Sequence, residues 1–319
     1  MNSKKPVLFA TVLGKSLDRC ENLKAIYDAY QGEKKFVSTH NSDFHPEVKS
    51  GKYDLMVIDA FPTVSPGKTI MIWHAIQGGK YIGLDEKHTY YRKEYADLID
   101  RIVVAGGGGI DMFNRCTGVP RERILDLGMP RTDRYKRKKK GDGHTEFANK
   151  RMYLFAPTFR NFGETPFPMI DWQKIDESLT DNEVFVVKCH PYGNYAYDID
   201  RYKHIKEVSH MSPSVNYLYD CDVLITDYSS IMFDAYLLKK PVVLFEKNPG
   251  YVQTRGMYLK YPDEYCSRYA TTEDELIKQM KLANGLRTAE KRCLNYVADA
   301  CDGHSCERIL ELIDEMNGG

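Results

Sequence analysis

The sequence predicts an α/β protein whose strands run parallel in two domains. Three observations carry this. Short, near-continuous apolar runs recur along the chain, as strands covered on both faces require. Helix-compatible stretches separate these runs. The alternation is interrupted once, by a polar, strongly basic segment at residues 134–150.

The runs at 7–13 (VLFATVL), 55–58 (LMVI), 70–73 (IMIW) and 102–105 (IVVA) predict four strands before the interruption. Those at 153–155 (YLF), 184–187 (VFVV), 223–226 (VLIT) and 242–245 (VVLF) predict four after it. The basic segment reads as a linker without apolar periodicity, so the domains are expected at 1–140 and 141–319. From about Ala289 the pattern is helical, with Ile309, Leu310, Leu312 and Ile313 spaced to bury one stripe.

Composition excludes several classes. The 319 residues carry 45 Lys plus Arg against 45 Asp plus Glu, a net charge of zero, which argues against a general nucleic-acid binder. The zero conceals an asymmetry: residues 1–150 hold 26 basic and 19 acidic residues (+7), and residues 151–319 hold 19 and 26 (−7). Within residues 131–140 alone stand seven basic residues and one acid. Eight cysteines without CxxC pairs read as reduced structural thiols, and Cys301, Cys306 and His304 lack a partner pair for a tetrahedral metal site. The amino terminus lacks a signal-peptide pattern, and no apolar run reaches the ~18 residues of a spanning helix, so a cytoplasmic protein with at most peripheral membrane contact is expected.

The most informative stretch runs from Asp222 to Asp234. A buried strand ends at Thr226, and Asp227, Tyr228, Ser229 and Ser230 follow where a helix begins. Serines at a helix start beyond a strand end receive phosphate, because free N–H groups and the helix dipole favour an anion there; a serine cap without ligand is the plain alternative. Lys188-Cys189-His190-Pro191 closes another strand, where imidazole serves a phosphate or leaving group and Lys188 adds charge, or where His190 is simply a turn residue. His74 follows the run 70–73 and suits a general base, against the alternative of a hydrogen-bonded interior histidine. Gly106 to Gly109 lack the third glycine of a dinucleotide fingerprint, since Asp111 stands there, and predict a flexible loop lining a cleft. Asp220-Cys221-Asp222 and Asp198-Ile199-Asp200 are D-x-D strings, but Asp222 opens a strand rather than closing one, which argues against a metal there.

Taken together these segments resemble the CDP-glycerol glycerophosphotransferase family, bacterial enzymes that prime and polymerise teichoic acids and related capsule polymers. The pieces are Trp73-His74 with Gly78 to Gly83, Gly128-Met129-Pro130-Arg131-Thr132-Asp133, Ala156-Pro157-Thr158-Phe159-Arg160, Lys188-Cys189-His190-Pro191, Thr226-Asp227-Tyr228-Ser229-Ser230, Arg255-Gly256 and Asp302-Gly303-His304-Ser305-Cys306-Glu307-Arg308, in collinear order. Ala75, Ile76 and Gln77 depart from the family's usual glycine, threonine and proline.

The resemblance implies a GT-B architecture, two Rossmann-like domains across a cleft, with the last helix returning to the first. The first domain would take the acceptor and the second a CDP-linked donor, CDP-glycerol or CDP-ribitol. His74 and His190 would be catalytic; Arg160, Lys188, Thr226, Asp227, Ser229, Ser230 and Asp234 would hold the donor and its pyrophosphate. CMP would be released onto no required cofactor; Mg2+ stays open, with no metal site evident. The acceptor would be a lipid-linked or growing polymer, and Arg134, Lys136, Arg137, Lys138, Lys139 and Lys140 would touch an anionic membrane or that polymer. A GT-B glycosyltransferase using a nucleotide sugar, and a non-catalytic module binding an anionic polymer, are the rival readings.

Overall fold

The structure, a computed structural model, describes residues 5–80, 96–158, 169–190, 198–209, 213–247, 250, 252 and 256–318, the Arg19 side chain excepted. The chain divides into two compact units, Met1–Lys136 with Asn295–Gly319, and Arg137–Leu294. The tail expected in the second domain therefore belongs to the first.

Each unit is built on a six-stranded sheet whose strand pairs are all parallel. In the first, β1 (Val7–Thr11), β2 (Lys34–Ser38), β3 (Leu55–Ile58), β4 (Lys68–Ile72), β5 (Arg101–Val103) and β6 (Ile124–Leu125) lie in the order 2-1-3-4-5-6. In the second, β7 (Arg151–Phe155), β8 (Glu183–Val187), β9 (Ile205–Glu207), β10 (Val223–Thr226), β11 (Val242–Phe245) and β12 (Tyr269–Ala270) lie in the order 12-11-10-7-8-9. Among the described residues the helices are α1 (Glu21–Ala29), α2 (Phe44–Val48), α3 (Gly107–Thr117), α4 (Trp172–Glu177), α5 (Ser214–Asp220), α6 (Ile231–Leu237), α7 (Glu273–Leu282), α8 (Thr288–Val297) and α9 (Ser305–Gly318).

The eight runs read as strands are β1, β3, β4, β5, β7, β8, β10 and β11. One sheet face of the first unit buries Val7, Phe9, Leu55, Val57, Ile70 and Ile72 under Leu23 and Ile26 of α1 and Ile309, Leu312 and Ile313 of α9. In the second, Tyr153, Phe155, Phe185, Val187, Ile225 and Phe245 pack under Trp172 and Ile175 of α4 and Leu276 and Met280 of α7. Each such aliphatic or aromatic side chain contributes about 1.5–3 kcal/mol by leaving water.

What fixes the returning tail is a set of polar contacts. Asp133 accepts the Ser305 and Cys306 N–H groups at 3.0 and 2.7 Å, capping α9 with a carboxylate where the helix is electropositive. Arg308 donates from Nε and Nη2 to the Leu127 carbonyl at 3.1 and 3.0 Å, and from Nη2 to Ala300 O at 2.6 Å. Lys68 Nζ meets the far end of α9 at Met316 O, 2.8 Å. Gly128, at φ +85°, lies so close that a Cβ there would stand 2.3 Å from Ser305 Oγ. Thus the G-M-P-R-T-D and D-G-H-S-C-E-R segments are two halves of one joint.

The glycine run differs from expectation. Gly107 opens α3, and its N–H donates to the Asp299 carboxylate at 3.2 Å. A Cβ at Gly106 would stand 2.1 Å from Asp299 Oδ1, and one at Gly108 2.9 Å from the Tyr296 ring. Gly106 and Gly108 are a packed seat for the returning chain, and the run opens α3 rather than forming a flexible loop.

The basic segment is likewise more ordered than a linker. Pro130–Arg137 forms a 3-10 helix that buries Tyr135. Residues 141–145 then wrap the carboxylate of Asp220, which accepts the N–H groups of Gly141, Gly143 and Thr145 and the Thr145 hydroxyl at 2.6–3.0 Å.

Asp133→Ala removes two charge-assisted bonds at the start of α9 and is expected to cost about 1–2 kcal/mol. A lowered urea midpoint, only partly recovered in Asp133→Asn because the amide has a single acceptor oxygen, checks it.

Candidate functional site

Both sheets reverse winding at their first strand, and ligands gather beyond the carboxyl ends of strands at such a point. In the second unit the reversal lies between β7 and β10. The two strand ends are tied together: Ala156 N–H donates to Ile225 O at 2.9 Å, and Thr226 Oγ1 donates to Ala156 O at 2.7 Å. Asp227 Oδ1 accepts the N–H groups of Thr158 and Tyr228 at 2.8 and 2.6 Å. The A-P-T and T-D-Y-S-S segments, 70 residues apart in sequence, thus meet at one point.

Beyond this knot stand Ser229 and Ser230, both half-buried, at the start of α6. Among the described residues, Ser230 closes no side-chain cap, and the Ser229 hydroxyl has only a long contact to Ile231 N, 3.5 Å. Half-buried His190 ends the segment after β8, the strand beside β7. Two hydroxyls after β10 and an imidazole after β8 thus stand at one carboxyl edge of the sheet, on the two strands that flank β7, and are donors of the kind that suit a phosphate.

Four expected donor ligands carry structural contacts. Thr226 is fully buried, and its hydroxyl donates to Ala156 O and so ties the strand ends together. Asp227 is 2% exposed and holds the strand ends. Asp234 is buried in the first turn of α6, where a carboxylate complements the helix dipole. Lys188 is 6% exposed and donates to the carbonyls of Val208 and Ser209 at 3.0 and 3.1 Å, with its ammonium 5.5 Å from the Tyr217 ring centre. Burial lowers its pKa. Arg160 lies outside the described residues.

In the first unit the reversal lies between β1 and β3, and His74 follows β4, the next strand. Its backbone is held from two sides. Asn22 Nδ2 donates to Trp73 O at 2.9 Å, and Arg131 Nη1 donates to His74 O at 2.9 Å. The Trp73 ring, wedged against Phe61 and Phe113, stacks on the imidazole with centroids 4.4 Å apart. Two residues of the G-M-P-R-T-D segment thus diverge: Asp133 seats the last helix and Arg131 seats the histidine.

The His74 ring is exposed at its face yet set among dense protein. That desolvation pushes its pKa down; Asp59, through its charge and its carbonyl, pulls it up, and Arg131 pushes it down. At neutral pH the ring is therefore unprotonated and able to accept a proton. Gln77, at one of the departures from the family pattern, is buried and accepts Ala105 N–H through Oε1 at 3.0 Å, bracing the loop after His74.

The basic segment is partly neutralised. Arg134 pairs with Glu21 at 3.0 Å, Lys140 with Asp222 at 2.6 Å, and Lys138 lies 5.4 Å from the centre of the Tyr219 ring. Lys136, Arg137 and Lys139 remain exposed. The D-x-D string has structural work: Asp220 binds residues 141–145, and Asp222 accepts Lys140 and Met152 N–H. Burial pushes the Asp220 carboxyl up, but the Thr145, Gly143 and Gly141 donors outweigh it and hold it below its ordinary value. Among the described residues no cluster of three or more His, Cys, Asp or Glu could hold a metal, and no helix is long and apolar enough to cross a membrane.

Sequence reasoning missed Asn22, Arg131, Asp59 and Asp299. Arg131 lies inside a segment that carries the family resemblance, but its partner Asn22 is distant in sequence, 109 residues away for the bond from Arg131 N–H.

The fold and site define a class: parallel α/β units with a phosphate-suited edge in one and a held histidine in the other. Residues 52–315 match the model of the CDP-glycerol:poly(glycerophosphate) glycerophosphotransferase family, and the chain belongs to that family. It is 28% identical over 294 residues to the teichoic acid poly(ribitol-phosphate) polymerase of Bacillus spizizenii, covering 81% of this chain and 46% of that protein. It is 28% identical over 268 residues to the teichoic acid glycerol-phosphate primase of Bacillus subtilis, covering 78% and 68%. The chain thus spans about half the length of the polymerase. The solved structure of the wall teichoic acid polymerase TagF shares the fold, with a TM-score of 0.80 and 20% identity over 99% of this chain and 90% of that one.

Lys188→Met is expected to lower the melting temperature while leaving the donor KM within about twofold, because the ammonium serves two carbonyls. Thermal unfolding and donor titration together check this.

Proposed function

We propose that the chain transfers glycerol phosphate or ribitol phosphate from a CDP-activated alcohol to a hydroxyl of a lipid-linked or polymeric acceptor, releasing CMP. The observation that carries this reading is the placement of Ser229, Ser230 and His190 on one carboxyl edge of the second sheet, after the two strands that flank β7, in a chain of this family. In a GT-B arrangement the second unit takes the donor and the first the acceptor.

The chemistry needs little from the protein beyond position and charge. The acceptor oxygen attacks the phosphorus that bears the polyol, the bond from that phosphorus to the CMP oxygen breaks, and CMP leaves with the electron pair. His74 takes the proton of the attacking hydroxyl. Ser229, Ser230, His190 and Arg160 hold the phosphates through donors placed one by one, since the second half of the sequence has an acidic balance and supplies no attractive field of its own.

The protein incubated with CDP-glycerol, CDP-ribitol or UDP-sugars and a lipid-linked acceptor is expected to release CMP and add one or more polyol phosphates, read by product mass. UDP release with a sugar added would establish the nucleotide-sugar alternative instead. His74→Ala and His190→Ala each abolish CMP release with circular dichroism unchanged; near-normal turnover in either removes that residue from the mechanism. Because the His74 pKa is depressed, kcat/KM falls only below the ordinary histidine midpoint of about 6.5.

The exposed Lys136, Arg137 and Lys139, with Arg134, Lys138 and Lys140 nearby, hold the enzyme to an anionic cytoplasmic membrane surface, each close basic residue contributing about 1 kcal/mol. Cosedimentation with anionic vesicles is expected to weaken as salt rises; binding that ignores salt or lipid charge would contradict this.

A further inference from the structure

A buried acid stands beside the T-D-Y-S-S segment, outside every segment that carries the family resemblance. Glu246 is the first residue after β11, the strand on the side of β10 away from β7, and it is 6% exposed. Both of its oxygens are taken. Oε1 accepts the Tyr228 hydroxyl at 2.5 Å, and Oε2 accepts the Tyr269 hydroxyl. The strand register brings these groups together: Thr226 pairs with Leu244, so two residues further on Tyr228 comes beside Glu246. Tyr269 lies in β12, and the Glu246 N–H donates to Ala270 O of the same strand at 2.9 Å. A carboxylate so little exposed is costly unless its oxygens are hydrogen-bonded, and charge-assisted bonds from hydroxyls are among the strong ones. Burial and the bond to Glu246 push the Tyr269 phenol up, so it keeps the proton that it donates.

Tyr228 is the residue just before the two serines. It is fully buried and held at both ends, its N–H by Asp227 Oδ1 at 2.6 Å and its hydroxyl by Glu246. Its ring packs on that of Tyr261 with centroids 5.1 Å apart. The serines themselves join α6 through their carbonyls, which accept the N–H groups of Met232 and Phe233 at 3.2 and 3.0 Å. Among the described residues the turn is thus fixed by the tyrosine before it and by backbone after it, and the serine hydroxyls contribute only the long contact to Ile231.

We propose that Glu246 is a positioning residue for donor binding: by holding the Tyr228 hydroxyl it fixes the Asp227–Ser230 turn in advance, so that Ser229 and Ser230 meet the donor's phosphates without reordering. This rests on Ser229 and Ser230 being donor ligands. A loop that must be ordered at the moment of binding loses affinity, and one held beforehand does not. The second oxygen, occupied by Tyr269, anchors the carboxylate to β12, so the turn after β10 is braced from two strands away. Because Glu246 acts through Tyr228, its removal falls on donor affinity rather than on turnover.

The test uses the full chain, calorimetric titration with CDP-glycerol and with CDP-ribitol, and kinetics with a lipid-linked acceptor. Glu246→Ala and Tyr228→Phe each raise the donor Kd and KM on the order of tenfold, while kcat stays within about threefold. The double variant is no weaker than the weaker single one, because both substitutions remove the same bond. Glu246→Gln stays within about threefold of wild type: its amide oxygen still accepts the Tyr228 hydroxyl, and its nitrogen can donate to the half-buried Tyr269 oxygen. Folded Glu246→Ala and Tyr228→Phe proteins that bind the donor as wild type does would overturn the proposal and leave Glu246 a tie between strands. Losses that simply multiply in the double variant would overturn it too. Tyr228→Phe removes a single oxygen, so with Glu246→Gln it decides the matter even if Glu246→Ala does not fold. A wild-type protein that binds neither CDP-alcohol removes the donor reading and this role with it, whereas wild-type binding that the variants leave unchanged removes only the role of Glu246.

Discussion

Parallel pairing imposes one constraint from which much of the molecule follows. When all six strands of a sheet run the same way, every strand delivers its following loop to one edge, and that edge alone gathers residues from distant parts of the sequence. In the first unit it receives Thr11, Asp59 and His74; in the second, Thr158, His190, Asp227 and the paired serines. The remaining architecture keeps these edges in register: apolar strand interiors covered by helices, and polar knots where the winding reverses.

Those knots share a chemistry. Asp59, Asp133, Asp220, Asp227 and Asp299 each accept backbone N–H groups that a strand or helix end leaves over. A carboxylate satisfies two or three such donors at once and binds them more strongly than a neutral acceptor. Acidic residues are therefore used here as connectors between segments far apart in sequence, 172 residues for Asp133 and 192 for Asp299. The acidic balance of the second half of the sequence reflects this internal use at least in part. Asp220 and Asp227 already have donors of their own, so in the proposed function their charge is spent before the donor's phosphates arrive.

The sequence revealed the interior of the fold better than its margins. All eight strands read from apolar runs are found, and the four missed, β2, β6, β9 and β12, are the four sheet edges. An edge strand such as Lys34–Ser38 has one side open to water and needs no continuous apolar run, so the signal vanishes where the physical requirement does. The site shows a similar division. The positions of Ser229, Ser230, His190 and His74 beyond strand ends were legible because polar residues directly after an apolar strand stand out. The roles of Thr226, Asp227 and Lys188 were not, because a side chain's burial depends on partners such as Ala156 and Val208 that no local pattern announces. Arg131 and Asp133, adjacent but one apart in one short segment, serve a histidine and a helix cap respectively, a distinction only the folded chain draws.

The first unit is made from both ends of the chain, with α9 supplying Ile309, Leu312 and Ile313 to a core begun at Val7. This reverses the usual order of birth on the ribosome, where the segment made first folds first. The second unit is encoded without interruption and can close as soon as Leu294 has emerged. The first must wait, its sheet face covered by α1 alone, until α9 has been made. The portion of the protein translated earliest is thus the last to be finished, and from the emergence of β6 to that of α9 part of its apolar sheet has no cover.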